Sequence, residues 1–269
     1  MSHTFDEAIA VEIARPDAFA SQTHPAYANM VGPFGGVTAG AVVQALRQHA
    51  RSQGEPAALT VNYVAPIADG PWQLVVEEVR TNRSNQHWLF RILQDEQVVT
   101  TGSMVLATVR DTWGATELAP PSVAAPEEIP AAEPIIPLAW LSRYQMRFVA
   151  GVPPVKPGPG AADSTTTLWI RDNPPRPLDF ASLTAMADCF FPRVFLRTGA
   201  LAPAGTISLS VYFHATTDEL AAVGEDYLLA TARGGRFGHG LFDQSGELWS
   251  RSGTLLATTT QLVYYKDPA

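Results

Sequence analysis

Alternating apolar and polar positions, rich in β-branched and aromatic residues, predict strands along most of the chain. The first half has four such segments, at LTVNYVAP (59–66), LVVEEVRT (74–81), HWLFRIL (87–93) and VVTTGSMVLATV (98–109). The second half has six, at YQMRFV (144–149), STTTLWIRD (164–172), ISLSVYFHAT (207–216), YLLATAR (227–233), GHGLFDQ (238–244) and LWSRSGTLLATTTQLVYY (248–265). Polar connections between them favour hairpins, so each half is predicted to contain an antiparallel meander.

A helix is predicted before the meander of the first half. Gly35 and Gly36 open VTAGAVVQALRQHA (37–50), which is apolar around nearly its whole circumference up to Arg47. A helix that is apolar on all sides must be buried on most of them. An antiparallel sheet wrapped around this helix would bury it.

A second helix is predicted within PLDFASLTAMADCFFPRVFLR (177–197), with Asp179 as its N-cap. Leu183, Ala187, Phe190 and Val194 have the spacing of a core-facing stripe. Pro192 cannot donate a hydrogen bond to the carbonyl of Asp188. A helix that continues through this segment is therefore expected to kink around Asp188.

The two halves repeat each other at a separation of 150 residues. QDEQVVTTGSMVLAT begins at Gln94 and QSGELWSRSGTLLAT at Gln244, and the same offset carries VNYVA (61–65) onto VYFHA (211–215). Self-similarity of this kind indicates a duplicated architecture. It also predicts equivalent hairpins at Gln94–Glu96 and at Gln244–Gly246.

The composition changes between the halves, where six prolines stand among Ala and Glu: Pro120, Pro121, Pro126, Pro130, Pro134 and Pro137. Such a segment is typical of an extended, semi-rigid linker. We predict an N-terminal unit at 1–112, a linker at 113–137 and a C-terminal unit at 138–269. A second Pro/Gly-rich segment, 153–160, is expected to form an irregular loop.

Composition excludes several classes of protein. Of the 269 residues, 46% are hydrophobic and 16% charged, which permits a large core. The net charge of −8 argues against nucleic acid as a partner. No apolar run reaches the roughly 18 residues of a membrane span, and acidic residues near the N-terminus are unlike a signal peptide, so a soluble cytoplasmic protein is expected. The single cysteine, Cys189, cannot form an internal disulfide, and no metal or redox site is predicted.

Several segments in order resemble the acyl-CoA thioesterase II (TesB-like) family: FGG (34–36), YQMRFV, LWIRDN (168–173), TAMAD (184–188), GTISLSVYFH (205–214) and LLATTTQLVYY (255–265). The resemblance implies an α+β double hotdog, with two tandem repeats that each wrap an antiparallel sheet around a long buried helix. The sequence departs from the family at Val37, where a glutamine commonly follows the two glycines.

The resemblance also implies a site. Asp188, Thr206 and Gln261 match the aspartate, threonine and glutamine that hold the attacking water in that family. The residue types suit this task, because a carboxylate accepts a proton while a hydroxyl and an amide both donate and accept hydrogen bonds. One site per chain is expected, since the first helix has no acid matching Asp188.

The implied reaction is hydrolysis of fatty or other acyl-CoA thioesters to a free acid and CoA, without a metal or redox cofactor. Five residues are expected to bind substrate, of which the first three would line an apolar acyl tunnel: Met186, Phe190, Phe191, Gly35 and Gly36. The CoA phosphates would lie at the surface near basic side chains, and homo-oligomers are expected.

Other interpretations of the same residues stay open. Taken singly, Asp188 could be solvated, Thr206 a strand former and Gln261 an exposed strand position. A hotdog enoyl-CoA hydratase or dehydratase would pair the aspartate with a histidine, but none lies near Asp188 in the sequence. An acyl-CoA-binding protein without turnover is the non-enzymatic alternative. Cys189 as a nucleophile and a metal held by His214 and His239 are disfavoured.

Overall fold

The computed structural model describes residues 2–134 and 136–266. Five α-helices lie in these residues: α1 (Thr4–Ala8), α2 (Gly35–Gln48), α3 (Phe180–Met186), α4 (Val194–Thr198) and α5 (Thr217–Val223). The strands of the first half are β1 (Glu12–Arg15), β2 (Ala18–Gln22), β3 (Glu55–Tyr63), β4 (Pro71–Thr81), β5 (Asn85–Gln94) and β6 (Gln97–Ala107). Those of the second are β7 (Tyr144–Ala150), β8 (Thr166–Asp172), β9 (Ala204–Phe213), β10 (Leu228–Gly238), β11 (Leu241–Trp249) and β12 (Leu255–Tyr265). Short 3-10 helices occur at Pro25–Tyr27, Pro126–Glu128 and Ala139–Arg143.

The twelve strands form one antiparallel sheet in the order β1-β2-β4-β5-β6-β3-β9-β12-β11-β10-β8-β7. The six strands of each half follow the same order from the edge to the centre of the sheet: β1-β2-β4-β5-β6-β3 in the first half and β7-β8-β10-β11-β12-β9 in the second. The two halves meet where β3 pairs with β9. Thr60 faces Ser210 at this seam, and their hydroxyl oxygens are 3.0 Å apart. Thr60 and Ser210 are 150 positions apart, which is the separation of the predicted repeat.

The helices α2 and α3 pack against each other and cover the inner face of the sheet. Most of α2 is buried, as predicted from its apolar circumference. Its glycines permit the close approach, because a Cβ at Gly36 would lie 2.6 Å from the carbonyl oxygen of Ala185. At the start of α3, the side chain of Asp179 accepts a hydrogen bond from the backbone N–H of Ser182, which confirms it as the N-cap.

The second helix is shorter than the predicted stripe that reaches Val194, and because it does not continue through Asp188, the kink expected of a continuing helix does not arise. The helix α3 ends at Met186, and the backbone N–H groups of Asp188 and Cys189 donate to the carbonyls three residues earlier, each at 3.1 Å. The chain then leaves the helix and resumes it only in α4. Pro192 lacks an N–H and would clash with the carbonyl of Asp188 inside a helix, so the helix stops before it instead of bending.

The hairpin predicted at Gln244–Gly246 is also wrong, because β11 runs straight through these residues. The chain turns instead at 250–254, where the Ser250 N–H donates to the Thr254 carbonyl at 2.8 Å and Gly253 has a φ of +91°. Gly246 does not form a turn. It allows the ring of Phe190 to pack closely on β11, since a Cβ at this position would lie 2.9 Å from that ring. The first hairpin is confirmed at Asp95 and Glu96, both with positive φ.

Because β11 continues past the predicted turn, the residues that are equivalent in the two halves differ from those of the sequence repeat. Leu59 of β3 and Leu209 of β9 are equivalent, since they are 150 positions apart. In the next strand of each half, Met104 pairs with Leu59 and Gln261 pairs with Leu209. One strand further out, Trp88 faces Met104 and Gln244 faces Gln261. The register therefore equates Met104 with Gln261 and Trp88 with Gln244, whereas the sequence offset had placed Gln244 with Gln94.

The proline-rich segment between the halves is largely extended, but it packs on the outer face of the sheet. The indole N–H of Trp169 donates to the carbonyl of Ala124 at 3.0 Å, and Arg251 binds both carboxylate oxygens of Glu127 at 2.7 and 2.8 Å. Val123 and Ile129 contact the buried cluster of Trp169, Tyr227, Leu229 and Trp249. The segment therefore covers apolar surface that the outer strand faces would otherwise expose.

Among the residues described, none of the helices has both the length and the apolar character needed to cross a membrane.

We predict that Gly246→Ala destabilises the fold by about 1–3 kcal/mol, because the added methyl group meets Phe190 and the Thr231 carbonyl oxygen, both at 2.9 Å. Denaturant unfolding measures the change in the free energy of unfolding. The control is Gly238→Ala in the neighbouring strand, where a Cβ meets nothing within 4 Å among the described residues. Equal effects of the two substitutions would contradict the packing role of Gly246.

Candidate active site

Three predicted residues from separate elements meet at one place in the structure. Asp188 follows the end of α3, Thr206 lies early in β9 and Gln261 lies in β12. The Thr206 hydroxyl donates to Oε1 of Gln261 at 3.2 Å, and Nε2 of Gln261 donates to Oδ1 of Asp188 at 3.0 Å. Gln261 thus joins the hydroxyl and the carboxylate in one hydrogen-bonded chain.

The N-terminus of α2 completes the surroundings of Asp188. The backbone N–H of Gly36 donates to the carboxylate, at the end of the helix where the dipole favours negative charge. A Cβ at Gly35 would lie 2.8 Å from Oδ2 of Asp188, so only glycine leaves room for the carboxylate. The surroundings of Asp188 therefore include the first half of the chain, from which Gly35 and Gly36 were predicted to bind substrate.

Tyr63 also lies near Asp188. Its hydroxyl donates to the Gly35 carbonyl at 2.9 Å, and burial together with the nearby Asp188 charge raises its pKa well above the usual range. Tyr63 stays neutral and fixes the backbone at the start of α2. The predicted strand VNYVAP contained this residue, but no sequence pattern indicates that it reaches the second half.

Burial raises the pKa of Asp188 to about 7, although the hydrogen bonds from Gly36 and Gln261 favour the ionised form. The carboxyl group can therefore gain or lose a proton near neutral pH. The neighbouring Cys189 differs, because burial and the Asp188 charge raise the thiol pKa well above its ordinary value. A neutral, buried thiol is a poor nucleophile.

The hydrogen-bonded chain lies on the wall of a cavity of about 490 Å³ between the halves. Its lining is mainly apolar and comes from the start of α2, the end of β3, the segment before β7 and the strands of the second half. Glu133 and Asp188 are the charged side chains among the described lining residues. The expected basic side chains for CoA phosphates are therefore not part of this lining.

The predicted substrate-binding residues divide into two groups. Gly35, Phe190 and Phe191 line the cavity. Met186 does not, because it lies on α3 within the core, and Gly36 faces the Ala185 carbonyl in the contact between the helices. Polar lining residues that the sequence did not indicate include Asn29, Tyr63, Thr100, Tyr144 and Gln244.

Arg193 fixes the segment that carries Asp188. Its side chain is buried, and burial lowers its pKa to about 9. The guanidinium donates to the Phe191 carbonyl through Nε at 2.9 Å and Nη2 at 2.6 Å, and also to Ser164 and Thr166. These bonds tie the irregular segment after α3 to the start of β8.

The equivalent positions of the first half have different chemistry. Met104 and Trp88, both buried, occupy the places of Gln261 and Gln244. These side chains fill space and offer water no free hydrogen-bonding group. The indole N–H of Trp88 is already used, because it donates to Gln86. The polar chain thus belongs to the second half of the sheet.

Two family models match the chain. The model of the acyl-CoA thioesterase N-terminal domain matches residues 24–107, and that of the C-terminal domain matches residues 117–265. The chain belongs to the acyl-CoA thioesterase family. The resemblance in the sequence is thereby confirmed.

Solved structures similar to this family member have the same fold. A protein from Alicyclobacillus acidocaldarius, described as a conserved protein of unknown function with hot dog fold, is 42% identical with a TM-score of 0.94, and the match covers 100% of both chains. A putative thioesterase II from Thermobifida fusca is 17% identical with a TM-score of 0.79, covering 97% of each chain. The tesB protein of Mycobacterium avium subs. paratuberculosis is 18% identical with a TM-score of 0.79, covering 97% of this chain and 98% of the other. No curated protein matches the chain.

We predict that Asp188→Asn stabilises the fold at pH 8, by up to about 4 kcal/mol for a pKa raised by three units. A raised carboxyl pKa means that the folded state binds more protons than the unfolded state between about pH 4 and pH 7. Stability therefore falls as pH rises through that window, and the asparagine removes this loss. Thermal unfolding of both proteins at pH 4 and pH 8 measures the effect.

The exposed residue Asp69 provides the control, since Asp69→Asn should leave the pH dependence of stability unchanged. An Asp188→Asn protein that is less stable than the wild type at pH 8 would contradict the cost of burying this charge.

Proposed function

We propose that the protein hydrolyses acyl-CoA thioesters to a free carboxylic acid and CoA, with a water molecule oriented by Asp188, Thr206 and Gln261. The observation that carries the proposal is the continuous hydrogen-bonded chain from Thr206 through Gln261 to Asp188 on the wall of an apolar cavity. Membership of the acyl-CoA thioesterase family supports the same reaction class.

The residues divide the chemistry between them. Thr206 and Gln261 are neutral and orient the water by hydrogen bonds, while the Asp188 carboxylate takes its proton as the water oxygen attacks the thioester carbon. The carbon–sulfur bond then breaks, and the thiolate of CoA receives the proton from Asp188. A pKa of about 7 suits both proton transfers at neutral pH.

The cavity suits the acyl part of the substrate. Phe190 and Phe191 lie two and three residues after Asp188 and line the cavity, so an apolar chain bound there places its thioester beside the carboxylate. Met186 has no part in this binding surface, and Gly36 acts through its backbone N–H. Substrate binding is thus assigned to Gly35, Phe190 and Phe191 among the five predicted residues.

We further propose that the fold is a double hotdog, with tandem repeats at 1–112 and 138–269 joined by the segment 113–137. The symmetric strand order, the seam between β3 and β9 and the paired buried helices α2 and α3 support it. The two repeats depend on each other at the site, because α2 supplies the N–H that binds Asp188. Association into homo-oligomers stays a prediction for light scattering to test.

The hydratase alternative has less support. That reaction needs an acid and a base, typically an aspartate with a histidine, and no histidine is among the described residues that line the cavity. An acyl-CoA-binding protein without turnover would use the same cavity. The two following experiments separate it from the hydrolase.

We predict that Asp188→Asn lowers kcat for thioester hydrolysis by about 10²–10⁴-fold, because the amide cannot accept the proton of the attacking water. Release of free thiol from short, medium, long and aromatic acyl-CoAs measures the rate, and calorimetry with the variant measures retained binding. Flat traces for the wild-type protein across the whole panel would remove the hydrolase proposal and leave the binding protein.

We predict that kcat/KM of the wild type falls about tenfold for each pH unit below about 7, since the base must be ionised in the free enzyme. Initial rates between pH 5 and pH 9 on one good substrate give the profile. A profile that stays level down to pH 5 would rule out Asp188 as the base.

A further inference from the structure

Gln244 is a buried amide on the cavity wall that the proposed reaction does not use. It lies in β11 directly opposite Gln261 of β12, so the two side chains lie on the same face of the sheet. Its exposed fraction is 2%, and it lines the cavity. Neither Oε1 nor Nε2 has a hydrogen-bond partner in the part of the chain that the structure describes.

A second glutamine shows what the fold does with an amide that serves stability. Gln86 is 1% exposed, and its side chain takes part in four hydrogen bonds, with Gln53, Arg51, Thr81 and Trp88. Burial without partners costs free energy for both the donor and the acceptor of the amide. The two glutamines are equally buried, so the unpaired state of Gln244 indicates a polar group that is bound there.

The position of Gln244 indicates which part of a substrate it meets. The CoA arm has to reach solvent, so it leaves the cavity past exposed lining residues. Those with exposed fractions between 41% and 69% are Met30, Val31, Val64, Val152, Leu201 and Tyr264, whereas Gln244 belongs to the buried part of the lining. Gln244 lies one strand further from Thr206 than Gln261 does, among buried lining residues such as Leu168. A thioester carbon held at Gln261 therefore has its acyl chain, rather than its CoA arm, beside Gln244.

We propose that the preferred substrate carries a hydroxyl group on its acyl chain close to the thioester, and that Gln244 binds this hydroxyl. The inference rests on the hydrolysis proposed above. A hydroxyl donates to Oε1 and accepts from Nε2, so it pairs both unpaired atoms. A carbonyl oxygen would pair only Nε2. Neighbouring strands are about 4.8 Å apart, and a hydroxyl on the third acyl carbon suits the step from Gln261 to Gln244.

The test compares hexanoyl-CoA with each enantiomer of 3-hydroxyhexanoyl-CoA. For the wild type, we expect kcat/KM to be at least about tenfold higher for one hydroxy enantiomer, because the unsubstituted chain leaves the amide unpaired. For Gln244→Met, we expect this ratio to fall by at least about tenfold, with faster hydrolysis of hexanoyl-CoA, because an apolar chain then meets an apolar side chain.

Gln86→Met is the matched control. It removes a paired, buried amide far from the cavity, so we expect a lower Tm and an unchanged substrate ratio. Gln244→Met should leave Tm unchanged or raise it, since it removes no hydrogen bond. A wild type without preference, a Gln244→Met protein that keeps the preference, or equal losses on both substrates would each overturn the proposal. Equal losses would indicate that the Gln244 amide binds the attacking water or the thioester carbonyl instead.

Binding separates this proposal from the proposed hydrolysis. Ketone analogues of the two substrates, with a methylene between sulfur and carbonyl, cannot be hydrolysed, and calorimetry gives their Kd values. Tighter binding of the hydroxy analogue by the wild type and loss of that difference in Gln244→Met support the hydroxyl site even if no thioester is hydrolysed. Equal Kd values for the two analogues overturn it even if both thioesters are hydrolysed.

Discussion

The burial of the Asp188 carboxylate is the constraint on which the rest of the site depends. An ionised carboxylate in an apolar interior needs hydrogen-bond donors, and here they come from Gly36 of the first half and Gln261 of the last strand. The helix α3 has to end before Asp188 so that the side chain can reach both, and Pro192 ensures that it does. Gly35 has to lack a side chain because the carboxylate occupies that space. One charge therefore explains why the two halves must pack at this point.

The sheet is symmetric, whereas its chemistry is not. The same register that gives the second half Gln261 and Gln244 gives the first half Met104 and Trp88. In the first half, the large apolar side chains complete a packed core. In the second half, the amides leave a cavity with hydrogen-bonding groups on its wall. One half can thus act as support, whose helix end supplies a backbone donor, while the other half carries the polar side chains of the cavity wall.

Much of the fold could be predicted from the sequence because it depends on local periodicity. Alternation located ten of the twelve strands but missed β1 and β2. The N-cap at Asp179 and the hairpin at Asp95 are local chemistry. The errors arose where tertiary packing overrides a local signal: Ser245 and Gly246 look like a turn, but the glycine makes room for Phe190. The grouping of Asp188, Thr206 and Gln261 came from the family resemblance. Tyr63 and Gln244 could not be found in this way, because only the register and the contact between the halves bring them to the cavity.

Two groups at the cavity, Asp188 and Gln244, lower the stability of the fold, and both neighbour Gln261. The raised pKa of Asp188 reflects a charge that the interior disfavours, and Gln244 is an amide that the fold leaves unpaired. The segments that carry the site are held by hydrogen bonds: Arg193 fixes the segment after α3, and Tyr63 fixes the start of α2. Rigid surroundings of this kind can hold unfavourable groups in place, because relaxation of either group would break several good hydrogen bonds. Both Asp188 and Gln244 face the cavity, so a bound molecule can recover the unfavourable free energy of these two groups.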